Sequence, residues 1–168
     1  EMEGCDWSSD VCSSDLIQLT VENLEKYYGG SEKLNATLKD GAGNPIANKT
    51  ITFTINGQKY NRTTNSNGIA SLAINLRPGV YDVTTMYGNM SVYSKVVVKT
   101  TIEGKDLVKM YQNGTQFFAT FLGTDGKPLA NNTKVTFNIN GVFYTRQTNE
   151  NGVARLNINL RPGEYILT

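Results

Sequence analysis

The residues of this sequence that most directly suggest chemistry are asparagines in Asn-x-Ser/Thr triplets, the acceptors of N-linked sugars in exported proteins. The triplets begin at Asn35, Asn48, Asn61, Asn89, Asn113 and Asn131. Composition explains part of their number, because threonine favours exposed strand faces and asparagine favours turns. If the chain is exported, we expect glycosylation of at least one of them.

Side chains for catalysis and metal binding are scarce. The sequence contains no histidine, and its cysteines are Cys5 and Cys12 alone. Nucleophile–base pairs that use histidine therefore cannot be assembled, and no glycine-rich phosphate loop is present. We predict a protein that is not an enzyme, with no catalytic, cofactor-binding or metal-binding residues. No calcium-loop spacing occurs among the dispersed acids Glu103, Asp106, Asp125 and Glu150.

Charge and hydropathy exclude two classes of partner. The 168 residues carry a net charge of +1, and lysine and arginine are scattered. A nucleic-acid partner is therefore not expected. No run approaches 18 apolar residues, so this sequence predicts no membrane span.

Residues 1–16 stand apart from the rest. They have no hydrophobic period, and Asp6 to Leu16 resemble the translation of an adapter ligated to sequencing libraries. We expect this segment to be adapter-derived or disordered and not native, so it is not expected to form part of the fold. Because it holds both cysteines, the redox compartment cannot be inferred.

An internal duplication organises the remaining chain. The run N-S-N-G-I-A-S-L-A-I-N-L-R-P-G-V-Y at 65–81 returns as N-E-N-G-V-A-R-L-N-I-N-L-R-P-G-E-Y at 149–165, a shift of 84 residues. Pro45 and Pro128 are shifted by 83, so one residue is added in the loop that follows them. A loop absorbs that insertion at little cost.

The repeated run predicts a half-buried strand, since apolar residues alternate through it with period two. Asn67-Gly68 predicts a hairpin into this strand, and Asn56-Gly57 predicts another hairpin. Beyond the strand, a proline–glycine corner precedes a tyrosine where immunoglobulin-like sandwiches place a corner-locking hydroxyl. The predicted corner residues are Pro78, Gly79 and Tyr81 in the first copy and Pro162, Gly163 and Tyr165 in the second.

Seven short strands separated by turn signals predict an all-β fold of tandem immunoglobulin-like sandwiches. The predicted domains are repeat 1 at 17–99 and repeat 2 at 100–168. The second copy stops at Thr168 within the strand that Tyr165 begins, so we expect its last strand to be missing. We expect residues 100–168 alone to be marginally stable, with an unpaired strand edge prone to association.

Two further features of the repeats concern their aromatic side chains and their lysines. Aromatic side chains could form a sugar-binding surface, although cross-strand packing is their commoner use; they are Tyr27, Tyr28, Tyr60, Phe143 and Tyr144. A lysine–asparagine cross-link needs a lysine and a carboxyl group buried together. We do not expect one, because the predicted inward positions are almost all apolar.

Several motifs together resemble the immunoglobulin-like repeats of adhesin-like surface proteins of methanogenic archaea, which are similar in style to bacterial invasin and intimin modules. They are Lys26-Tyr27-Tyr28-Gly29-Gly30, the G-x-P-[IL]-A-N runs from Gly43 and Gly126, the F-N-I-N-G-V-F-Y run from Phe137, and the N-G-x-A…L-x-I-N-L-R-P-G-x-Y blocks. The resemblance implies a secreted cell-surface protein whose stacked domains hold a distal binding region away from the envelope. It implies no catalytic residues.

The leading hypothesis is therefore a non-catalytic spacer whose partners are neighbouring repeats of the same chain. One alternative is a module that binds cell-surface carbohydrate or a host protein. Aromatic residues exposed at equivalent positions of both copies would favour that alternative, and an all-polar outer face would favour the spacer. A second alternative is an accessory domain of an extracellular hydrolase.

Overall fold

The computed structural model describes residues 5–6, 11–12 and 16–168, and these residues form strands but no helix. No helix there is long and apolar enough to cross a membrane. The chain divides into two compact units, Glu1–Lys99 (unit 1) and Thr100–Thr168 (unit 2). Apart from the short antiparallel pair β1 (Cys5–Asp6) and β2 (Val11–Cys12), the segment predicted to be adapter-derived lies outside the described residues up to Asp15.

Unit 1 contains two sheets built from eight further strands. Its three-stranded sheet has the order β3-β5-β8, and its five-stranded sheet has the order β4-β10-β9-β6-β7. In the larger sheet β4 alone runs parallel to its neighbour, β10. The strands are β3 (Ile17–Val21), β4 (Leu24–Tyr27), β5 (Lys33–Asp40), β6 (Thr50–Ile55), β7 (Gln58–Thr63), β8 (Ile69–Ala73), β9 (Gly79–Tyr87) and β10 (Met90–Lys99).

The core of unit 1 lies between these sheets. Alternate side chains of β5 and β8 meet alternate side chains of β6, β9 and β10, as the two-residue period of a strand requires. Phe53 at the centre is fully buried. The fully or almost fully buried apolar residues are Leu34, Ala36, Leu38, Ile51, Phe53, Ile55, Ala70, Leu72, Ile74, Val83, Val96 and Val98.

This strand order confirms an immunoglobulin-like sandwich. In such folds strands A, B and E share one sheet, and strands C, F and G share the other. Here β3, β5 and β8 take the first three positions, and β6, β9 and β10 take the others. The predicted all-β class is correct.

Unit 2 repeats much of this plan. One sheet has the order β11-β12-β15, a second pairs β13 with β14, and Leu167 bridges to Ile139. Its core contains edge-on aromatic pairs, with the Phe137 ring centre 6.1 Å from that of Phe117 and 5.8 Å from that of Phe121. The strands are β11 (Ile102–Gly104), β12 (Gln116–Phe121), β13 (Lys134–Ile139), β14 (Val142–Gln147) and β15 (Val153–Asn157).

The hairpin predicted at Asn56-Gly57 is confirmed. Both residues have positive φ, 51° and 78°, as a two-residue hairpin loop requires, and β6 pairs with β7 across them. Asn140-Gly141 repeats this geometry in unit 2 with φ values of 51° and 80°.

The hairpin predicted at Asn67-Gly68 is wrong. Among these two residues only Gly68 has positive φ, and β8 pairs with β5 rather than with β7. The loop carries the chain from one sheet to the other. An Asn-Gly pair marks a turn, but it does not reveal which strand pairs with the one that follows.

Two other predicted details change. The sequence interpretation identified seven strands in the first copy and missed β4. It also placed Gly79 in the corner, whereas Gly79 is already the first residue of β9 and lies opposite Val98. The irregular part of the first corner therefore ends at Pro78.

Candidate functional site

A buried lysine is the most unusual polar residue of unit 1. Lys26, in β4, is only 3% exposed. Its Nζ donates to the carbonyl oxygens of Gly30 at 2.5 Å and Ile74 at 2.8 Å, and that of Glu32 lies at 3.4 Å. Three acceptors match the three donors of an ammonium group, which makes its burial tolerable. We call Lys26 with these three carbonyls the lysine anchor of unit 1.

The anchor recurs in unit 2 at the same repeat positions. Lys109 Nζ donates to the carbonyl oxygens of Asn113 at 2.8 Å, Thr115 at 2.9 Å and Ile158 at 2.8 Å. Lys109 is half-buried, and the segment that carries it is not assigned as a strand. The lysine–carbonyl contacts therefore form even where the segment carrying the lysine is not paired as β4 is with β10.

Side-chain contacts also join both ends of β4 to β10. Before the strand, Asn23 Oδ1 accepts a hydrogen bond from the Lys95 backbone N–H at 2.8 Å. Within β4, Glu25 and Tyr27 both contact Lys99, the last residue of β10. Lys99 Nζ lies 2.7 Å from a Glu25 carboxylate oxygen and 5.8 Å from the Tyr27 ring centre. The hydrogen bond from Lys99, then its charge, lowers the pKa of Glu25. The same contact raises the pKa of Lys99.

The tyrosines after the two corners donate hydrogen bonds back across them. The Tyr81 hydroxyl donates to the Arg77 carbonyl oxygen at 2.8 Å, and the Tyr165 hydroxyl donates to that of Arg161 at 3.0 Å. In both units the acceptor lies four residues before the tyrosine. This bond spans the corner that leads towards β9 in unit 1 and towards the Leu167 bridge in unit 2.

An apolar cavity of about 190 Å³ opens on unit 1, with Tyr60 of β7 and the end of β8 in its lining. Tyr60 is 36% exposed, and its repeat counterpart Tyr144 is half-buried under the Arg146 guanidinium, whose carbon lies 5.9 Å from the ring centre. The cavity lining comprises Ile55, Tyr60, Leu72, Ala73, Ile74, Asn75 and Leu76.

The other exposed aromatics differ in whether the second unit repeats them. Tyr28 is 49% exposed and its counterpart Tyr111 is 55% exposed, and both lie in turns outside the strands. Phe143 is 70% exposed, but Lys59 takes its place in unit 1. Tyr60 and Tyr144 are thus the equivalent aromatic pair on strands of both units.

The acidic residues do not form a metal site within the described residues, where no group of three potential ligands comes together. Glu103 and Asp106 share a depression of about 510 Å³ in unit 2, whereas Asp125 and Glu150 are not among its lining residues. The depression also includes Lys105, Phe117 and Phe118.

All six glycosylation-triplet asparagines are exposed. Three have engaged side chains. Asn35 Oδ1 accepts from the Ser71 hydroxyl at 2.6 Å, and Asn61 Oδ1 accepts from that of Thr52 at 2.9 Å. Asn113 Oδ1 accepts from the Thr115 backbone N–H at 2.8 Å. Asn89 lies in the short turn between β9 and β10. Equivalent backbone hydrogen bonds of the two units are offset by 83 residues at Leu129 and by 84 residues at Asn132. The additional residue of unit 2 therefore lies between these positions, where Asn131 is found.

No family model matches the chain. It is 33% identical over 86 residues to the inverse autotransporter adhesin YeeJ of Escherichia coli (strain K12). That match covers 45% of this chain and only 4% of the relative, so the chain spans a small part of the relative's length.

Two solved adhesins have similar structures at low identity. The Escherichia coli adhesin FdeC is 16% identical with a TM-score of 0.40, over 86% of this chain and 55% of that one. Invasin, described as a bacterial integrin-binding protein, is 18% identical with a TM-score of 0.42, over 86% of this chain and 34% of that one. The strand order of unit 1 is what identifies its immunoglobulin-like fold.

The lysine anchor is the feature that sequence reasoning missed. In the sequence Lys26 is only part of a motif, and the predicted inward positions are almost all apolar. The signal was nevertheless present, since Leu24 and Lys26 recur as Leu107 and Lys109 at the repeat spacing of 83. A lysine that keeps its place between diverged copies is a candidate for a structural contact.

Proposed function

We propose that this chain is a non-catalytic spacer of an exported cell-surface adhesin, in which consecutive sandwiches hold a distal binding region away from the envelope. The observation that carries the proposal is the repetition of a self-contained unit. Each unit has its own apolar core, and both have the same anchor and corner bonds. Units that bury their own cores can be added in series without redesign of their neighbours.

The similarity to an inverse autotransporter adhesin supports a cell-surface location for this proposal. The proposal includes the archaeal origin that the motif resemblance implies. It also includes neighbouring repeats as the partners of each unit and the exposed asparagines as glycosylation sites. The proposed role requires no catalytic group, metal or cofactor.

The spacer proposal is tested by measuring how far the repeats extend a binding domain from the cell surface. Increasing numbers of copies of residues 17–99 are placed between a surface anchor and a small binding domain on capsulated cells, and capture of ligand-coated beads is measured. Capture is expected to rise with copy number, because a longer array carries the binding domain beyond the capsule. Binding of soluble ligand is the control and should not change. Bead capture that is independent of copy number would contradict the proposal.

A binding module is the second candidate, favoured by Tyr60 and Tyr144 at equivalent positions and by the apolar cavity beside Tyr60. In this reading, an array of surface glycans and proteins should retain the full chain, and Tyr60→Ala with Tyr144→Ala should abolish retention. Arg77→Ala, an exposed change at the corner, is the matched control. A chain that retains no ligand supports the spacer instead.

A further inference from the structure

We propose that β4, β10 and the lysine anchor form a mechanical clamp that resists pulling on the two ends of unit 1. The proposal rests on the spacer function, since a spacer that transmits an adhesion force is pulled from both ends. It adds a load-bearing role, and it assigns that role to Lys26.

The strand directions decide how β4 and β10 are loaded. The described chain reaches the larger sheet through β4 and leaves unit 1 after β10, and these strands are parallel, with Leu24 opposite Val96 and Tyr27 opposite Lys99. Pulling on the two ends therefore draws the strands in opposite directions along their common axis. The hydrogen bonds of the pair are strained together in shear rather than broken one after another.

β3 offers less resistance than β4. Its side chains are exposed or only partly buried, and its backbone pairs with β5 alone. Once β3 is drawn off, the load passes to β4. That strand is held by its pairing with β10 and by the contacts of Asn23 with Lys95 and of Glu25 with Lys99. The Tyr28 backbone N–H adds a bond to the Lys99 carbonyl at 2.9 Å.

The lysine anchor ties β4 to the opposite sheet. The Lys26 ammonium bonds the Ile74 carbonyl just beyond the end of β8, as well as Gly30 in the turn after β4. If β4 slides along β10, the ammonium leaves these acceptors while it is still buried. Uncoupling a buried charge from its acceptors is costly, so the anchor raises the barrier to sliding.

The experiment is constant-force unfolding of single full-length chains held at both ends. Forced unfolding reports the unfolding rate, so the variant of interest is Lys26→Met, which removes the ammonium and keeps an apolar stem of similar length. We expect unit 1 to unfold about tenfold faster at a given force, from the loss of charge-assisted hydrogen bonds. The unfolding step of unit 2 in the same trace should not change.

Ile51→Val is the matched control, because Ile51 lies in the core on β6, away from the β4–β10 pair. It should lower the thermal midpoint of unit 1 and change its rate under force less than Lys26→Met does. If Lys26→Met lowers the thermal midpoint yet unfolds under force no faster than Ile51→Val, the clamp is refuted and the anchor serves equilibrium stability alone.

If Lys26→Met fails to fold, the exposed variants Glu25→Gln and Asn23→Ala test the same clamp. Faster unfolding under force than that of an Ile51→Val chain, with no greater loss of thermal midpoint, supports it, and an unchanged rate overturns it. The bead-capture assay is independent of this result. A chain that extends reach but lacks the clamp would refute only this inference, whereas loss of the reach effect would refute the spacer itself.

Discussion

At the scale of single residues, the buried polar groups of unit 1 fall into two kinds. Lys26 and Thr64 are bonded, the latter because its hydroxyl oxygen accepts the Lys49 backbone N–H at 3.0 Å. Thr85 Oγ1 and Ser94 Oγ are buried without a partner among the described residues. An unpaired buried hydroxyl keeps its desolvation cost and gains nothing in return.

This difference predicts opposite effects for one substitution type. Thr85→Val replaces the unpaired hydroxyl by a methyl group of similar shape, and we expect the free energy of unfolding to rise by about 1 kcal/mol. Thr64→Val removes a bonded hydroxyl and should lower it by about 1 kcal/mol or more. Urea denaturation of both variants measures these two changes in the free energy of unfolding. Equal destabilisation by the two would show that Thr85 has a partner in solution.

The Glu25–Lys99 contact predicts a pH dependence. The pKa of Glu25 is lowered from its usual 4.5, so the contact contributes stability above that pH and loses it as the pH falls through the lowered value. The pKa of Lys99 is raised from 10.5, so the contribution holds below that pH and is lost as the pH rises through the raised value.

Glu25→Gln should therefore be less stable than the wild type at neutral pH and equally stable in strong acid. The comparison is made by urea denaturation across the pH range, and it is repeated at high salt, where screening should shrink the neutral-pH difference. A difference that persists unchanged in strong acid would show that packing, not charge, is responsible.

At the scale of elements, the loop between β7 and β8 depends on one glycine. Gly68 has a φ of +69°, and a Cβ there would overlap the Leu38 carbonyl oxygen, whereas Gly57 has a φ of +78° and open space around it. Gly68→Ala should cost at least about 2 kcal/mol, and Gly57→Ala about 1 kcal/mol for the left-handed backbone alone.

Thermal unfolding of both variants checks this contrast. Gly152→Ala is the counterpart in unit 2, where a Cβ would lie 2.6 Å from the Phe121 carbonyl oxygen. Similar losses for Gly57→Ala and Gly68→Ala would mean that the loop relaxes away from β5.

The sequence carried enough information for the strands but less for their partners. Alternation at Ile51, Phe53 and Ile55 correctly indicated an inward face, because the period of two is local. The Asn67-Gly68 turn was assigned to a hairpin because turn chemistry does not identify the sheet that receives the next strand. β4 was missed because its inward residue is Lys26, which an apolar pattern does not detect.

The site was harder to predict for the same reason. The acceptors of Lys26 are main-chain carbonyls, and any residue type can supply these. One of them, Ile74, lies 48 positions away. The tyrosine corner was easier to predict, because its donor Tyr81 and its acceptor Arg77 are only four residues apart and both lie within the repeated motif.

At the scale of the whole molecule, the separate cores predict separate stabilities. One core draws its residues from unit 1 and the other from unit 2. Phe53→Ala empties the centre of the first core, where Phe53 is fully buried, and should destabilise unit 1 by about 3–5 kcal/mol. Phe137→Ala should act in the same way on unit 2, since substitutions that share no partners act independently.

Hydrogen exchange followed by mass spectrometry resolves the two units in one sample of the full chain. Phe53→Ala should speed exchange in peptides from 33–98 and leave those from 116–157 unchanged, and Phe137→Ala should give the reverse pattern. Because unfolding of a single cooperative core would expose all amides together, faster exchange throughout the chain in either variant would contradict independent units. Independence of this kind is what copying one unit into a longer series requires, because each added copy then keeps its own stability whatever its neighbours do.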